Sequence, residues 1–202
     1  WDVLKDKSQG KREILIMPTW RNWLDSVPDK DFEESDYFRH YMGLLNSERL
    51  NQILEKYDLE VNFYLHAKFQ EYADTFKSIS KRIHLISFGE VAVNEMLMRC
   101  RMLITDYSSV CWDILYQDKP SLFYQFDIEK YNEAHGSYID METELFGDRA
   151  ATQEQLLDYL EETVQNDFRL KPEYEKMRGE YLQFKDHEHS RHICEEIKKR
   201  FH

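Results

Sequence analysis

The chain has 202 residues, of which 42% are hydrophobic and 14% aromatic, so it can bury one sizeable core. We therefore expect a single domain spanning residues 1–202. The formal net charge of −12 argues against nucleic acid and anionic lipid as partners of the whole surface, because both carry negative charge. An anionic ligand would need a local cationic pocket.

Membrane and export signals are absent from the sequence. No apolar run reaches the roughly 18 residues that suggest a membrane span, and no apolar segment behind a basic start suggests a signal peptide. We expect a soluble, intracellular chain. Because the sequence starts at Trp1 and its first apolar run begins only at residue 13, we also expect it to be part of a larger protein.

The first half of the chain alternates between strand and helix patterns. Residues 13–20 (EILIMPTW) form an apolar run ended by Pro18, which predicts a buried strand followed by a loop. The acidic run at 29–36 is typical of a solvated loop, and residues 35–57 have helical spacing of leucine and isoleucine. Residues 59–66 predict the second strand, and residues 69–76 a short helix.

The second half continues this alternation. Strands are predicted at 83–87, 102–106 and 121–125, with a helix at 91–100 and another beginning near Ser108. From Thr152 onward the pattern indicates three helices. Alternating strands and helices favour an α/β fold with a doubly wound, Rossmann-like parallel sheet and C-terminal helices.

Polar residues cluster where the predicted strands end. In open α/β sheets, ligands bind beyond the carboxyl ends of the strands. Ser108 and Ser109 begin a predicted helix there, so their backbone N–H groups and hydroxyls could hold a phosphate, and Arg21 and His66 could supply countercharge.

Structural explanations of the same residues remain open. Asp106 and Ser108 are ordinary helix-capping residues, and His66 could be a packed or solvated histidine. Asp113 could bond back along its own helix, and Tyr124 could belong to the core. The DHEHSRH segment at 186–192 is better explained as a solvated helix start than as a metal site.

A longer motif favours the phosphate-binding interpretation. Residues 106–113 (DYSSVCWD) and 119–140 (KPSLFYQFDIEKYNEAHGSYID) resemble the CDP-glycerol glycerophosphotransferase family of teichoic-acid polymerases and primases. Residues 18–21 (PTWR) are similar to the family's PTxR loop, His66 falls where the family has a histidine, and residues 184–197 resemble its closing helix. The likeness covers roughly residues 13–197, although His135 stands where the family usually has arginine.

The resemblance implies a fold and a reaction. The chain would be the C-terminal, donor-binding half of a GT-B fold, binding CDP-glycerol or a related CDP-alditol without a cofactor or a metal. An acceptor hydroxyl would attack the β-phosphorus and release CMP. His66 would be the catalytic residue of this half, and the substrate-binding residues would be Thr19, Arg21, Asp106, Ser108, Ser109, Asp113, Tyr124 and Asp127.

The same resemblance implies partners and a location. The acceptor would be a lipid-linked polyol phosphate, met at the inner face of the cell membrane by a cytoplasmic, peripheral protein. An N-terminal half of the same protein would supply the base, so the isolated chain would be inactive. Two alternatives stay open: a nucleotide-binding module without its own catalysis, and another GT-B nucleotide-sugar transferase.

Overall fold

The computed structural model describes residues 7, 12–136, 139–184, 186 and 188–201. Within these ranges the strands form one six-stranded sheet in the order β3-β2-β1-β4-β5-β6, and every neighbouring pair is parallel. The strands are β1 Glu13–Ile16, β2 Glu60–Tyr64, β3 Ile83–Ile86, β4 Met102–Thr105, β5 Ser121–Tyr124 and β6 Asp148–Ala150. The predicted parallel α/β fold is therefore confirmed, and β6 is an addition to it.

Helices connect the strands and follow the last one. They are α1 Asp29–Glu33, α2 Asp36–Leu45, α3 Glu48–Lys56, α4 Val93–Arg99, α5 Val110–Tyr116, α6 Ile128–Ala134, α7 Gln153–Gln165, α8 Pro172–Tyr181 and α9 His189–Phe201. Two 3₁₀ segments, Asn22–Leu24 and Ala67–Thr75, lie in the loops after β1 and β2. In the part of the chain that is described, no helix combines the length and the apolar character needed to cross a bilayer.

Two of the predicted connections were wrong in detail. The helical stretch at 35–57 is two helices, because the Ser47 side chain accepts a hydrogen bond from the Leu50 N–H and starts α3. The acidic run at 29–36 is not a solvated loop, since it contains α1. Phe32 of α1 is fully buried and stacks on Tyr72, with ring centres 3.9 Å apart. The short helix expected at 69–76 has 3₁₀ geometry.

The hydrophobic core lies on both faces of the sheet. Ile14 and Ile16 of β1 point to a cluster that includes residues of α2, α3 and α7, whereas Leu15 points to a second cluster that includes residues of α4 and α5. This alternation follows from the two-residue period of a strand. Helices cover both faces of the sheet, so polar loops lie at the ends of the strands, including their carboxyl ends.

Candidate functional site

An open cavity of about 390 Å³ lies at the carboxyl ends of β1, β2 and β4. Its walls come from the loops after these strands, from the start of α5, and from α6 and the segment that follows it. The described lining residues are Thr19, Trp20, His66, Asp106, Tyr107, Ser108, Ser109, Cys111, Trp112, Phe123, Tyr131, Gly136, Ile139, Met141 and Leu145. The cavity therefore combines one polar side with one apolar and aromatic side.

Asp106 joins the loops after β1 and β4. Its Oδ1 accepts hydrogen bonds from the backbone N–H of Thr19 at 2.8 Å and of Tyr107 at 2.6 Å. Its Oδ2 accepts from the Tyr41 hydroxyl at 3.2 Å and lies 2.9 Å from Arg21 Nη2. Asp106 is fully buried, so its carboxylate organises the cavity floor and is committed to protein partners.

Arg21 lies behind the cavity and is also fully buried. Its guanidinium donates through Nε to Asp127 Oδ2 at 2.8 Å, through Nη2 to Asp127 Oδ1 at 3.1 Å and through Nη1 to the Thr19 carbonyl at 2.7 Å. Burial alone would lower the pKa of Arg21, but Asp106 and Asp127 outweigh it and raise that pKa well above its usual value. Arg21 is therefore a cation with two carboxylate partners.

The expectation that Arg21 contacts a phosphate directly does not fit this geometry. Two carboxylates already neutralise the guanidinium, and Arg21 is not among the described residues that line the cavity. Through Thr19, Asp106 and Asp127, it instead ties together the loops that follow β1, β4 and β5.

Ser108 and Ser109 lie on the polar side of the cavity, immediately before α5. Ser109 occupies the N-cap position, yet its hydroxyl accepts no capping hydrogen bond from the described helix. Ser108 Oγ lies 3.5 Å from the Val110 N–H, which is long for a hydrogen bond. Ordinary helix capping therefore does not account for the two hydroxyls.

His66 faces the cavity beside Trp20, with ring centres 6.2 Å apart and the planes inclined by 26°. Burial lowers the pKa of His66, and nearby Lys68 lowers it further, against the opposing effect of Asp106. The ring is therefore neutral at pH 7. Because Nδ1 accepts a hydrogen bond from the Lys68 N–H at 3.2 Å, the remaining proton is assigned to Nε2, which can act as a donor.

The other predicted site residues lie outside the described cavity wall. Tyr124 is fully buried in the core, and burial raises the pKa of its hydroxyl. Asp113 is half-buried on α5, where burial raises the pKa of its carboxyl group. Asp127 pairs with Arg21 and also accepts from the Tyr107 hydroxyl at 3.1 Å.

Several lining residues were not assigned a role from the sequence. Tyr107 and Tyr131 stack with ring centres 3.6 Å apart and planes 9° apart, forming an aromatic wall. Both residues belong to the motif on which the family resemblance rests, and this motif was the sequence signal that could have indicated their place in the cavity wall. Trp20, by contrast, was indicated only by its position between Thr19 and Arg21.

The DHEHSRH segment makes protein contacts that fit a helix start. His189 Nε2 lies 2.9 Å from the Tyr116 hydroxyl, and His192 Nε2 lies 2.7 Å from Asp186 Oδ2. His187 lies outside the described residues. Among the residues that are described, no three histidine, cysteine, aspartate or glutamate side chains group as they would around a metal ion.

Comparison with known proteins assigns the family. Residues 5–199 match the family described as CDP-Glycerol:Poly(glycerophosphate) glycerophosphotransferase. The chain belongs to this family. Its polar cavity side, built by Asp106, Ser108 and Ser109, is thus formed by the motif that carries the family resemblance.

The relatives of this glycerophosphotransferase-family chain are longer proteins. It is 30% identical over 199 residues to the minor teichoic acid biosynthesis protein GgaB of Bacillus subtilis (strain 168), a match that covers 92% of the chain and 21% of GgaB. It is 27% identical over 197 residues to the teichoic acid glycerol-phosphate transferase of Staphylococcus aureus (strain NCTC 8325 / PS 47), covering 94% of the chain and 46% of that protein.

A solved structure shows the same fold. The wall teichoic acid polymerase TagF superposes with a TM-score of 0.66 at 22% identity, covering 94% of this chain and 44% of TagF. A single-residue variant of TagF has also been solved after a soak with CDPG. The fold of the chain is accordingly the Rossmann-like α/β fold of GT-B transferases, and the chain spans less than half the length of these relatives.

Proposed function

We propose that the cavity binds the diphosphate of CDP-glycerol or a related CDP-alditol, and that residues 1–202 are the donor-binding domain of a glycerophosphotransferase. The observation that carries the proposal is that the Ser108–Ser109 motif and His66 line the same open cavity. Family membership and the CDPG soak of TagF support the choice of donor. In the whole protein, the acceptor is a teichoic-acid or capsule-type polyol phosphate polymer, linked to lipid.

The proposed reaction is a direct displacement at phosphorus. An acceptor hydroxyl oxygen forms a bond to the β-phosphorus, the bond from that phosphorus to the oxygen shared with the α-phosphate breaks, and CMP leaves. The hydroxyl proton passes to a base, which we assign to another part of the whole protein. Charge gathers on the phosphate oxygens during this step, so fixed hydrogen-bond donors lower the barrier.

The chain offers such donors on one side of the cavity. The hydroxyls of Ser108 and Ser109 and the backbone N–H groups of these two residues would be the donors for the phosphates. The second and third N–H groups of α5 already donate to the carbonyl oxygens of the same serines. In its neutral tautomer, His66 carries a proton on Nε2. This N–H can donate a hydrogen bond to phosphate oxygens, but Nε2 cannot take the proton from the attacking hydroxyl. Arg21 contributes indirectly, by holding the loops in place.

Calorimetric titration tests this proposal. CDP-glycerol and CDP-ribitol should bind more tightly than CMP or a UDP-sugar. Alanine at Ser108 or Ser109 should weaken CDP-glycerol binding about fivefold each, the effect of losing roughly one hydroxyl hydrogen bond. His66→Gln should also weaken it, whereas His84→Gln, a control on the exposed edge strand β3, should not.

Two results would contradict the proposal. Preferential binding of UDP-sugars would favour another nucleotide-sugar transferase. Unchanged CDP-glycerol affinity in the serine and His66 variants, with folding intact by circular dichroism, would mean that the junction before α5 has only a structural role.

A further inference from the structure

Cationic and aromatic side chains gather beside the cavity, around Trp20, although the chain as a whole carries a net charge of −12. Lys68 Nζ lies 5.4 Å from the centre of the Trp20 ring, and Lys130 Nζ lies 4.8 Å from the centre of the Trp23 ring. His135 contacts both tryptophans, with ring centres 6.2 Å from Trp20 and 6.3 Å from Trp23. We call these five residues the aromatic rim.

The aromatic rim is continuous with the cavity. Trp20 and Gly136 line the cavity, and Gly136 directly follows His135. Trp23 follows Trp20 in the loop after β1, and Lys130 lies on α6. The rim therefore adjoins the cavity at Trp20 and next to Gly136.

The polar groups of the rim are available to a ligand. Lys130 and His135 are exposed, and the two tryptophans are half-buried. Lys68 Nζ lies 3.4 Å from Asp25 Oδ2, but these side chains are 55% and 34% exposed, so solvent screens their attraction. An exposed ammonium over the face of an indole ring gains only a weak contact and keeps its remaining N–H groups for an anion.

This combination matches one ligand chemistry. The apolar faces of indole rings can pack against the C–H groups of a polyol, while ammonium and imidazole N–H groups can bind phosphate oxygens by charge-assisted hydrogen bonds. We propose that the aromatic rim binds the end of the acceptor, a polyol chain linked by phosphodiesters. This inference rests on the proposed function, because the donor phosphates then occupy the inner cavity and the acceptor hydroxyl must reach them from outside.

The test uses a short oligo(glycerol phosphate) as the probe, titrated into the protein by calorimetry and by tryptophan fluorescence. Lys130→Gln should weaken its binding about threefold and Trp23→Leu about fivefold, as expected for the loss of exposed cation–π and phosphate contacts. Both variants should keep the CDP-glycerol affinity of the unsubstituted protein. The matched control is Lys81→Gln, which removes an exposed lysine just before β3, at the opposite end of the strands.

The two proposals fail in different ways. Equal oligomer affinity in Lys130→Gln, Trp23→Leu and the unsubstituted protein would overturn the aromatic rim as an acceptor site, as would undetectable oligomer binding. The proposal would also be overturned if the rim variants lost affinity for CDP-glycerol while their oligomer binding stayed unchanged. The aromatic rim would then bind the donor and not the acceptor. If CDP-glycerol fails to bind while rim variants still weaken oligomer binding, the rim stands and the proposed donor site falls.

Discussion

Replacing Arg21 by methionine would leave Asp106 and Asp127 without their common cation. Asp106 is fully buried and only 13% of the Asp127 side chain is exposed, so water can replace little of the lost interaction. Methionine roughly fills the space of the arginine stem but offers no donor. The substitution therefore removes one member of a buried ionic cluster and leaves the other two in place.

The expected loss in the free energy of unfolding is about 3–5 kcal/mol, the usual effect of leaving a buried charge unpaired. For a chain of this size, each kcal/mol corresponds to roughly 2–4 °C, so the melting temperature should fall by roughly 6–20 °C. Arg21→Lys should lose less, because lysine keeps the charge but cannot reproduce the two-pronged contact with Asp127.

Urea unfolding followed by circular dichroism measures this loss. The control is Arg39→Met, which breaks the pair of Arg39 with Asp36, whose side chains are 62% and 73% exposed. That change should cost no more than about 1 kcal/mol, because solvent screens the pair. If Arg21→Met and Arg39→Met shift the unfolding midpoint equally, the buried contacts of Arg21 with Asp106 and Asp127 do not stabilise the fold as argued above.

Three further predictions concern local features. Gly147→Ala should lower the free energy of unfolding in urea by about 1–3 kcal/mol, because the new Cβ would overlap the Ser121 carbonyl oxygen. The control is Gly179→Ala in α8, which has open space around it and should be neutral or stabilising. Thr152→Ala should cost about 1 kcal/mol by removing the capping box of α7, and an unchanged midpoint would contradict that role. His66 should titrate by NMR with a pKa below the usual histidine value of 6.5. Its contribution to stability is therefore present above pH 6.5 and is lost as the pH falls towards its folded-state pKa. An NMR midpoint at or above pH 6.5 would contradict the expected lowering of the pKa.

The fold was largely predictable because the central strands are continuous apolar runs. Residues 14–16 and 102–105 are buried, and strands covered on both faces of the sheet show a clear signal against the polar loops around them. β6 has only three residues and includes Asp148 and Arg149, so it carries no such signal. It is held by pairing with β5, a tertiary contact that local sequence does not reveal.

The candidate site was predictable in location but not in the role of each side chain. The rule that parallel strands end at one edge correctly brought together Thr19, His66, Asp106, Ser108 and Ser109. That these residues bind a substrate stays a prediction.

The burial of Arg21 could not be predicted in the same way. Its partner Asp127 lies 106 residues away along the chain, and nothing near residue 21 shows which carboxylates reach it. The expected direct contact with phosphate followed from the charge of Arg21, from its position after the first strand and from the likeness of residues 18–21 to the family's PTxR loop.

The hydrogen bonds that Asp106 accepts from the backbone fix part of the cavity before a ligand binds. Loops at binding sites commonly open at little free-energy cost, and ligands then lose affinity by having to fix them. Here the backbone N–H groups of Thr19 and Tyr107 are held by a carboxylate with no solvent exposure, so these two points of the cavity floor can open only by breaking the buried cluster. The backbone at these two points is consequently held in place before any ligand binds, so a ligand would lose affinity mainly through its own ordering and through the ordering of exposed side chains such as that of Ser109.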